Sequence, residues 1–326
     1  MIRARIAGTG RSLPEKIVTN VDLEKIVDTS DSWIRERTGI HERRLLEPGR
    51  FTSDLAAEAS RQACEAAGVL VAEVDCIIAA TVTADMPMPS AGVVIQHKLG
   101  LVGVPAFDVA AACAGFLYGL TVGEAFIRGG QFKRVLVIGV EALSRMVDWR
   151  DRNTCVLFGD GAGAVLLVPE SGDRGILSTR LFADGAQADI LNIPGGGAQR
   201  PATAESVAEN LHVVKMNGRE VYRHAVRNLS QASLAALESA NLRADQVDWV
   251  VAHQANLRIL EGVSERVAIP MDKFYVNIHK YGNTSSASVP IALDEAVRQG
   301  SIKPGQTVLM TALGAGLAWG AAAIRW

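Results

Sequence analysis

The sequence predicts a layered α/β fold made of two copies of one unit. Three observations carry that reading: an internal repeat, strands that are apolar without alternation, and Ala-rich helices between them. Residues 56–83 (AAEASRQACEAAGVLVAEVDCIIAATVT) read as a helix, a stop at Gly68, a polar loop and an apolar strand, and the same order returns at 229–256 with Val74-Asp75 matched by Val247-Asp248, an offset of 173. A second echo sets Glu124 to Gly130, leading to a strand from Arg134, beside Glu295 to Gly300, leading to one from Gln306, at an offset of 171. A third sets Phe158 to Ala164 beside Leu313 to Ala318. Three echoes in one order argue for duplication rather than a chance likeness of helix-loop-strand units.

Taken in chain order, the expected strands of the first half are Cys76 to Val82, Val135 to Val140 and Ala164 to Val168. Unbroken apolar runs fit strands covered on both faces. An apolar strand ends near Val109, and the helix Ala114 to Ile127 follows it with small residues on much of its surface. The turn-forming stretch Pro169 to Asp173 marks the boundary, giving halves 1–170 and 171–326. Residues 186–210, with Pro194-Gly195-Gly196-Gly197, read as an irregular insertion, a kind of segment that is often functional. The second half continues with strand Trp249 to Ala252, helix Ser286 to Arg298, and strands Val308 to Thr311 and Ala321 to Ile324.

Composition narrows the function. With 33 Lys plus Arg against 35 Asp plus Glu in 326 residues, the net charge of −2 excludes a generally basic nucleic-acid binder. No apolar run reaches the roughly 18 to 20 residues of a membrane helix, and Met1 to Gly10 lacks the apolar stretch of a signal peptide, so a cytoplasmic location is expected. Cys64, Cys76, Cys113 and Cys155 form no CxxC pair and no zinc-like spacing, which predicts free thiols and no metal site. The 31 glycines exceed the average share of about 7% and point to tight turns and close backbone approaches.

Three residues stand where chemistry is favoured. Cys113 falls at a strand-to-helix turn, where a helix start favours thiolate; the alternative is a buried cysteine acting as a small hydrophobe. Cys64 and Cys76 lie within a helix and a strand, and Cys155 enters an apolar segment, so all three read as core. His253 directly follows the strand Trp249 to Ala252, at the kind of strand end that opens into a ligand crevice, or else it is a structural cap there. Asn283 sits in a Ser- and Thr-rich loop before the second-half helix, where capping is its ordinary role. The repeat changes the weighing, because Cys113 shifted by 171 lands on Thr284, beside Asn283. A shared crevice between related halves would bring nucleophile, His and Asn together. Such a trio occurs in papain-like proteases, whose local cysteine sequence is absent here. The other use is two donors converging on a carbonyl oxygen that gains charge.

At this point Asp108 to Phe116 (DVAAACAGF), His253-Gln254-Ala255-Asn256 and Tyr281-Gly282-Asn283-Thr284-Ser285 resemble the three active-site motifs of β-ketoacyl-[acyl-carrier-protein] synthase III, a thiolase-like condensing enzyme. The likeness runs end to end, including Asp31 to Ile34, Arg37 to Ile40 and Phe158 to Gly163. It implies a thiolase-like five-layered αβαβα fold of two duplicated βα halves, a homodimer, and neither metal nor redox cofactor. It also implies that Cys113 takes the acyl group of an acyl-CoA, acetyl by default, and that malonyl-acyl carrier protein then loses CO2 and condenses with it to start fatty acid synthesis. His253 and Asn283 would stabilise the enolate, and the Cys113 N–H with a backbone N–H near Ala315 would form the oxyanion hole. Trp33, Arg37 and Arg152 match the CoA site, while Met88, Leu143, Phe158 and Tyr222 match the acyl pocket. Arg223, Arg258 and Arg266 match a patch for the acidic carrier protein.

Two departures stand out. Leu313-Gly314-Ala315-Gly316-Leu317 replaces an aromatic followed by three glycines, and Met88 replaces an aromatic that reaches into the partner subunit's pocket. The alternatives are a specialised secondary-metabolite ketosynthase, an acyl-CoA-dependent acyltransferase, or a non-catalytic acyl-binding protein. The last has no use for Cys113, His253 and Asn283 together.

Overall fold

The structure, a computed structural model, describes residues 2–326. The chain runs β1 (Ile2–Ser12), β2 (Ile17–Thr19), α1 (Asn20–Leu23), α2 (Asp31–Thr38), β3 (Glu42–Arg44), α3 (Thr52–Ala67), β4 (Cys76–Ala80), α4 (Ala91–Lys98), β5 (Ala106–Val109) and α5 (Gly115–Arg128). It continues with β6 (Val135–Ala142), β7 (Asp160–Ser171), β8 (Gly175–Ala183), β9 (Leu191–Asn192), α6 (Ala204–Ala208), β10 (Lys215–Met216) and α7 (Gly218–Ser239). The last elements are β11 (Trp249–Ala252), α8 (Leu257–Val267), α9 (Ile278–Tyr281), α10 (Ser288–Arg298), β12 (Thr307–Gly314) and β13 (Ala318–Arg325).

Two mixed sheets dominate, in the orders β1-β7-β6-β4-β5 and β11-β12-β13-β8. Helices α3 and α4 cover the outer face of the first, α7 covers the outer face of the second with α8 packed on it, and α5 and α10 lie between the two sheets. This is the five-layered αβαβα arrangement. Strands β4, β6 and β12 are buried along their whole length, as unalternated apolar runs require. The central layer is the largest core cluster, with Phe116, Leu117 and Leu120 of α5 and Val289 and Leu293 of α10 packed against Val137, Val308 and Met310.

The duplication is visible in strand register. Cys76 pairs with Val135 in the parallel ladder of β4 and β6, and Trp249 pairs with Val308 in that of β11 and β12, both displaced by 173. The counterpart of β5 is reduced to a single parallel bridge between Val250 and Phe274. The turns before α5 and α10 also correspond, since Ala112 and Ser285 both hold positive φ, 45° and 49°. That match pairs Cys113 with Ser286. The offset of 171, which pointed to Thr284, applies further along, where α10 has become shorter than α5.

Strands β1 and β8 were not foreseen, because arginines interrupt their apolar positions and both lie at sheet edges. The expected insertion, 186–210, holds β9 and the short α6, and β9 pairs with β10 beyond its end. No helix among the described residues is long and apolar enough to cross a membrane.

The middle of the molecule is held close by glycine. A Cβ on Gly139 would stand 2.2 Å from the Ser286 carbonyl oxygen, and one on Gly163 would stand 2.7 Å from the Ile291 nitrogen. Both obstacles are main chain, so they yield only if α10 moves off the sheet. We expect Gly163→Ala to destabilise the protein by roughly 1–3 kcal/mol, read as a lower urea midpoint at unchanged slope. An unchanged midpoint would show that α10 is free to shift.

Candidate active site

Strand β5 delivers the chain to a 3₁₀ turn, Ala112–Ala114, and Cys113 sits in it immediately before α5. The turn is locked from the second half, because Gly314 at the end of β12 lies on the Cys113 amide. A Cβ there would be 2.5 Å from that nitrogen. Next to it, Ala315 is outside the set of residues with positive φ, so the departure from glycine carries no backbone strain.

His253 follows β11, its N–H bonded to the Thr311 carbonyl of β12 at 2.8 Å. The Ser288 hydroxyl, at the start of α10, lies 2.5 Å from His253 Nδ1, and the Gln254 N–H points at the same oxygen from 3.4 Å. Nδ1 is the one acceptor that the Ser288 hydroxyl has among the described residues, so we assign the hydroxyl hydrogen to Nδ1 and the ring hydrogen to Nε2. Burial pushes the imidazole down to about 4, so it stays neutral at neutral pH. Asn283 is pinned by its backbone, donating to Leu157 O at 2.8 Å and accepting from Gly159 N at 2.9 Å. Its Oδ1 accepts the Ser285 N–H at 2.8 Å, which leaves the side-chain NH2 as the free donor.

These three side chains line one cleft of about 740 Å³. Burial pushes the Cys113 thiol up to about 12, while the neighbouring Ser285 side chain acts in the opposite direction. The thiol is therefore not a standing thiolate, and desolvation outweighs the helix start. The other three cysteines are buried free thiols, also raised by burial, and none of them lines the cleft.

Of the remaining predicted site residues, Trp33, Arg37, Phe158, Tyr222 and Arg258 also line the cleft. Arg37 and Arg152 lie over the Trp33 ring at 5.5 and 5.3 Å, forming an aromatic and cationic cluster at its mouth. Leu143 is buried in the same apolar cluster as Phe158, whereas Met88 is 84% exposed and outside the cleft. Arg223 pairs with Glu220, Arg258 stands 3.6 Å from Glu36, and Arg266 closes the last turn of α8. Arg219 and Asn153 line the cleft without having been singled out, and the roles of Ser285 and Ser288 were hidden among ordinary capping serines. No group of three or more His, Cys, Asp or Glu placed to hold a metal ion occurs among the described residues.

A cysteine at a helix start that shares one cleft with a histidine and an asparagine, within an αβαβα fold, is the arrangement of a condensing enzyme of the thiolase-like class. Residues 107–191 match the family model of 3-oxoacyl-[acyl-carrier-protein] synthase III and residues 237–326 that of its C-terminal part. The chain is 50% identical over 325 residues to the β-ketoacyl-[acyl-carrier-protein] synthase III of Caldanaerobacter subterraneus subsp. tengcongensis, covering 100% of this chain and 98% of that one. The crystal structure of 3-oxoacyl-[acyl-carrier-protein] synthase III from Aquifex aeolicus superposes with a TM-score of 0.93 at 44% identity, over 99% of this chain and 100% of the other. The priming β-ketosynthase of the R1128 polyketide pathway superposes at 0.92 with 34% identity, over 98% and 95%. The chain belongs to the β-ketoacyl-[acyl-carrier-protein] synthase III family, acyltransferases that catalyse the condensation initiating fatty acid synthesis.

Because the folded-state pKa of His253 is lowered, the unfolded chain binds the extra proton first. Its contribution to stability is complete above about 6.5 and is lost as pH falls towards about 4. We expect nitrogen-15 spectra of histidine-labelled protein to show His253 neutral and Nε2-protonated at pH ~6, and Ser288→Ala to mix the tautomers. A wild-type ring that titrates near its ordinary value would contradict the assignment.

Proposed function

We propose that Cys113 attacks the thioester of an acyl-CoA, acetyl-CoA by default, and holds the acyl group while CoA leaves. The Cys113 N–H and a backbone N–H at Ala315 stabilise the tetrahedral oxyanion, a reading supported by the contact of Gly314 with the Cys113 amide. Malonyl-acyl carrier protein then binds, and His253 Nε2–H and the Asn283 NH2 donate to its thioester oxygen as CO2 departs. The resulting enolate carbon attacks the acyl carbon on Cys113 to give the 3-oxoacyl product. The observation that carries the reading is the occupation of His253 Nδ1 by Ser288 and of Asn283 Oδ1 by Ser285, which turns both side chains into donors facing Cys113's cleft. These steps call on no metal and no redox cofactor.

The CoA nucleotide is assigned to Trp33, Arg37 and Arg152, where an indole can stack on a purine and guanidinium groups can pair with phosphates. Phe158 and Tyr222, with Leu143 behind, bound the acyl chain. Met88 serves the same pocket from a partner subunit in a homodimer, supported by its exposure together with Met86, Val93 and Val102 near the free edge of β5. Arg223, Arg258 and Arg266 receive the acidic carrier protein. Residues 1–170 and 171–326 act as two halves of a cytoplasmic enzyme, with the nucleophile in the first and both donors in the second. The R1128 priming β-ketosynthase supports a second reading in secondary metabolism, with the same chemistry at the cleft and a different primer.

The decarboxylation step tests the assignment. Asn283→Ala should cut CO2 release from malonyl-carrier protein by about 10² to 10³, the usual effect of removing one oxyanion donor, while leaving acylation of Cys113 nearly intact. Cys113→Ala should take up no acyl group. Wild-type decarboxylation in Asn283→Ala would overturn the role given to that residue.

A further inference from the structure

Behind Cys113 lies a buried carboxylate that the condensation as described does not use. Glu141, near the end of β6, is 0% exposed. The Thr83 hydroxyl donates to Oε2 at 2.6 Å and Thr81 at 3.3 Å, with the Val82 N–H at 3.2 Å. Thr83 Oγ1 in turn accepts the Ala142 N–H at 2.8 Å. The other carboxylate oxygen, Oε1, accepts from Ser285 Oγ at 3.2 Å. The turn that carries Ser285 packs against the turn that carries Cys113, and the Ser285 side chain lowers the proton affinity of that thiol. One serine thus stands between the turn of Cys113 and the buried carboxylate, held in its own turn with a φ of 49°.

On the reading of function given above, we propose that Ser285 and Glu141 form a proton relay for Cys113, storing the thiol proton between acylation and condensation. In acylation the S–H bond breaks as the sulfur bonds to the acyl carbon. The thiol proton passes to Ser285 Oγ, the serine's own proton passes to Glu141 Oε1, and CoA leaves as a thiolate that is protonated by solvent. In condensation the new carbon–carbon bond expels the Cys113 thiolate, and the stored proton returns along the same path. Over the cycle Glu141 is restored, one solvent proton ends on CoA and one CO2 is released.

The alternative acceptor fits less well. His253 has its Nδ1 engaged by Ser288 and is driven by burial to about 4, a weak base for a buried thiol. Burial raises Glu141 to about 7 against the opposing hydrogen bonds, which matches its affinity to neutral pH. The titratable group facing it is the Cys113 thiol, across the turn before α5. Its hydroxyl partners Thr81, Thr83 and Ser285 are uncharged.

Glu141→Gln keeps size and hydrogen-bonding capacity while removing the proton acceptor. Ser285→Ala removes the link and should fold, since alanine already holds the equivalent conformation at Ala112. The readout is single-turnover acetylation of Cys113 by acetyl-CoA, followed by intact mass from about pH 5.5 to about pH 9. The wild-type rate should rise through pH ~7, and both variants should lose that rise and react about 10²-fold more slowly, with Glu141→Asp recovering part of both. If Ser285→Ala, or a folded Glu141→Gln, acetylates at the wild-type rate with the wild-type pH profile, the relay is overturned and the carboxylate only braces the turn. A wild type that takes no acyl group from any acyl-CoA would instead overturn the reading of function beneath it.

Discussion

The cleft depends on how closely the turns before α5 and α10 are pressed together across the middle of the molecule. The Ser286 hydroxyl, from the second half, bonds the Ala80 carbonyl at the end of β4 in the first at 2.8 Å. In the other direction, Gly314 of β12 rests on the Cys113 amide, and Gly139 of β6 leaves room for the Ser286 carbonyl. Each half therefore completes the other's turn. Because the contacts are main chain to main chain at glycine, the separation of Cys113 from His253 and Asn283 is set by backbone packing rather than by flexible side chains.

Burial in this arrangement cuts both ways. It raises the thiol and lowers the imidazole, so neither is charged at rest. A neutral His253 with a fixed tautomer is suited to donate to an oxygen that gains negative charge, and it has no need to be an acid or a base at neutral pH. The cost falls on Cys113, which must lose its proton in a dry site. That need connects the condensation chemistry to Ser285 and to the buried carboxylate of Glu141, which bears on the thiol from the end of β6.

Much of this was legible in the residues, for identifiable reasons. The central strands are covered on both faces and so read as apolar runs, and β11 was bounded correctly at Trp249 and Ala252. Cys113, His253 and Asn283 each stand at an element end, where position itself is informative. Edge strands β1 and β8 escaped because one face carries arginine. The pairing of Cys113 with Ser286 rather than Thr284 needed the three-dimensional register, since α10 has lost residues relative to α5. Ser288 was hidden among capping serines, and Glu141 looked like no more than the polar end of an apolar strand. Their importance comes from what they touch in the fold, Ser288 reaching His253 within the second half at a separation of 35 residues and Glu141 reaching Ser285 across the halves at 144.

The most direct measurement of the account is intact mass of the protein exposed to a panel of acyl-CoAs and then to malonyl-carrier protein. A single acyl group should appear on Cys113 and then leave as the 3-oxoacyl product forms. Protein that never gains an acyl group, or that keeps it after malonyl-carrier protein is added, would contradict the assignment of a nucleophile from one half to donors from the other.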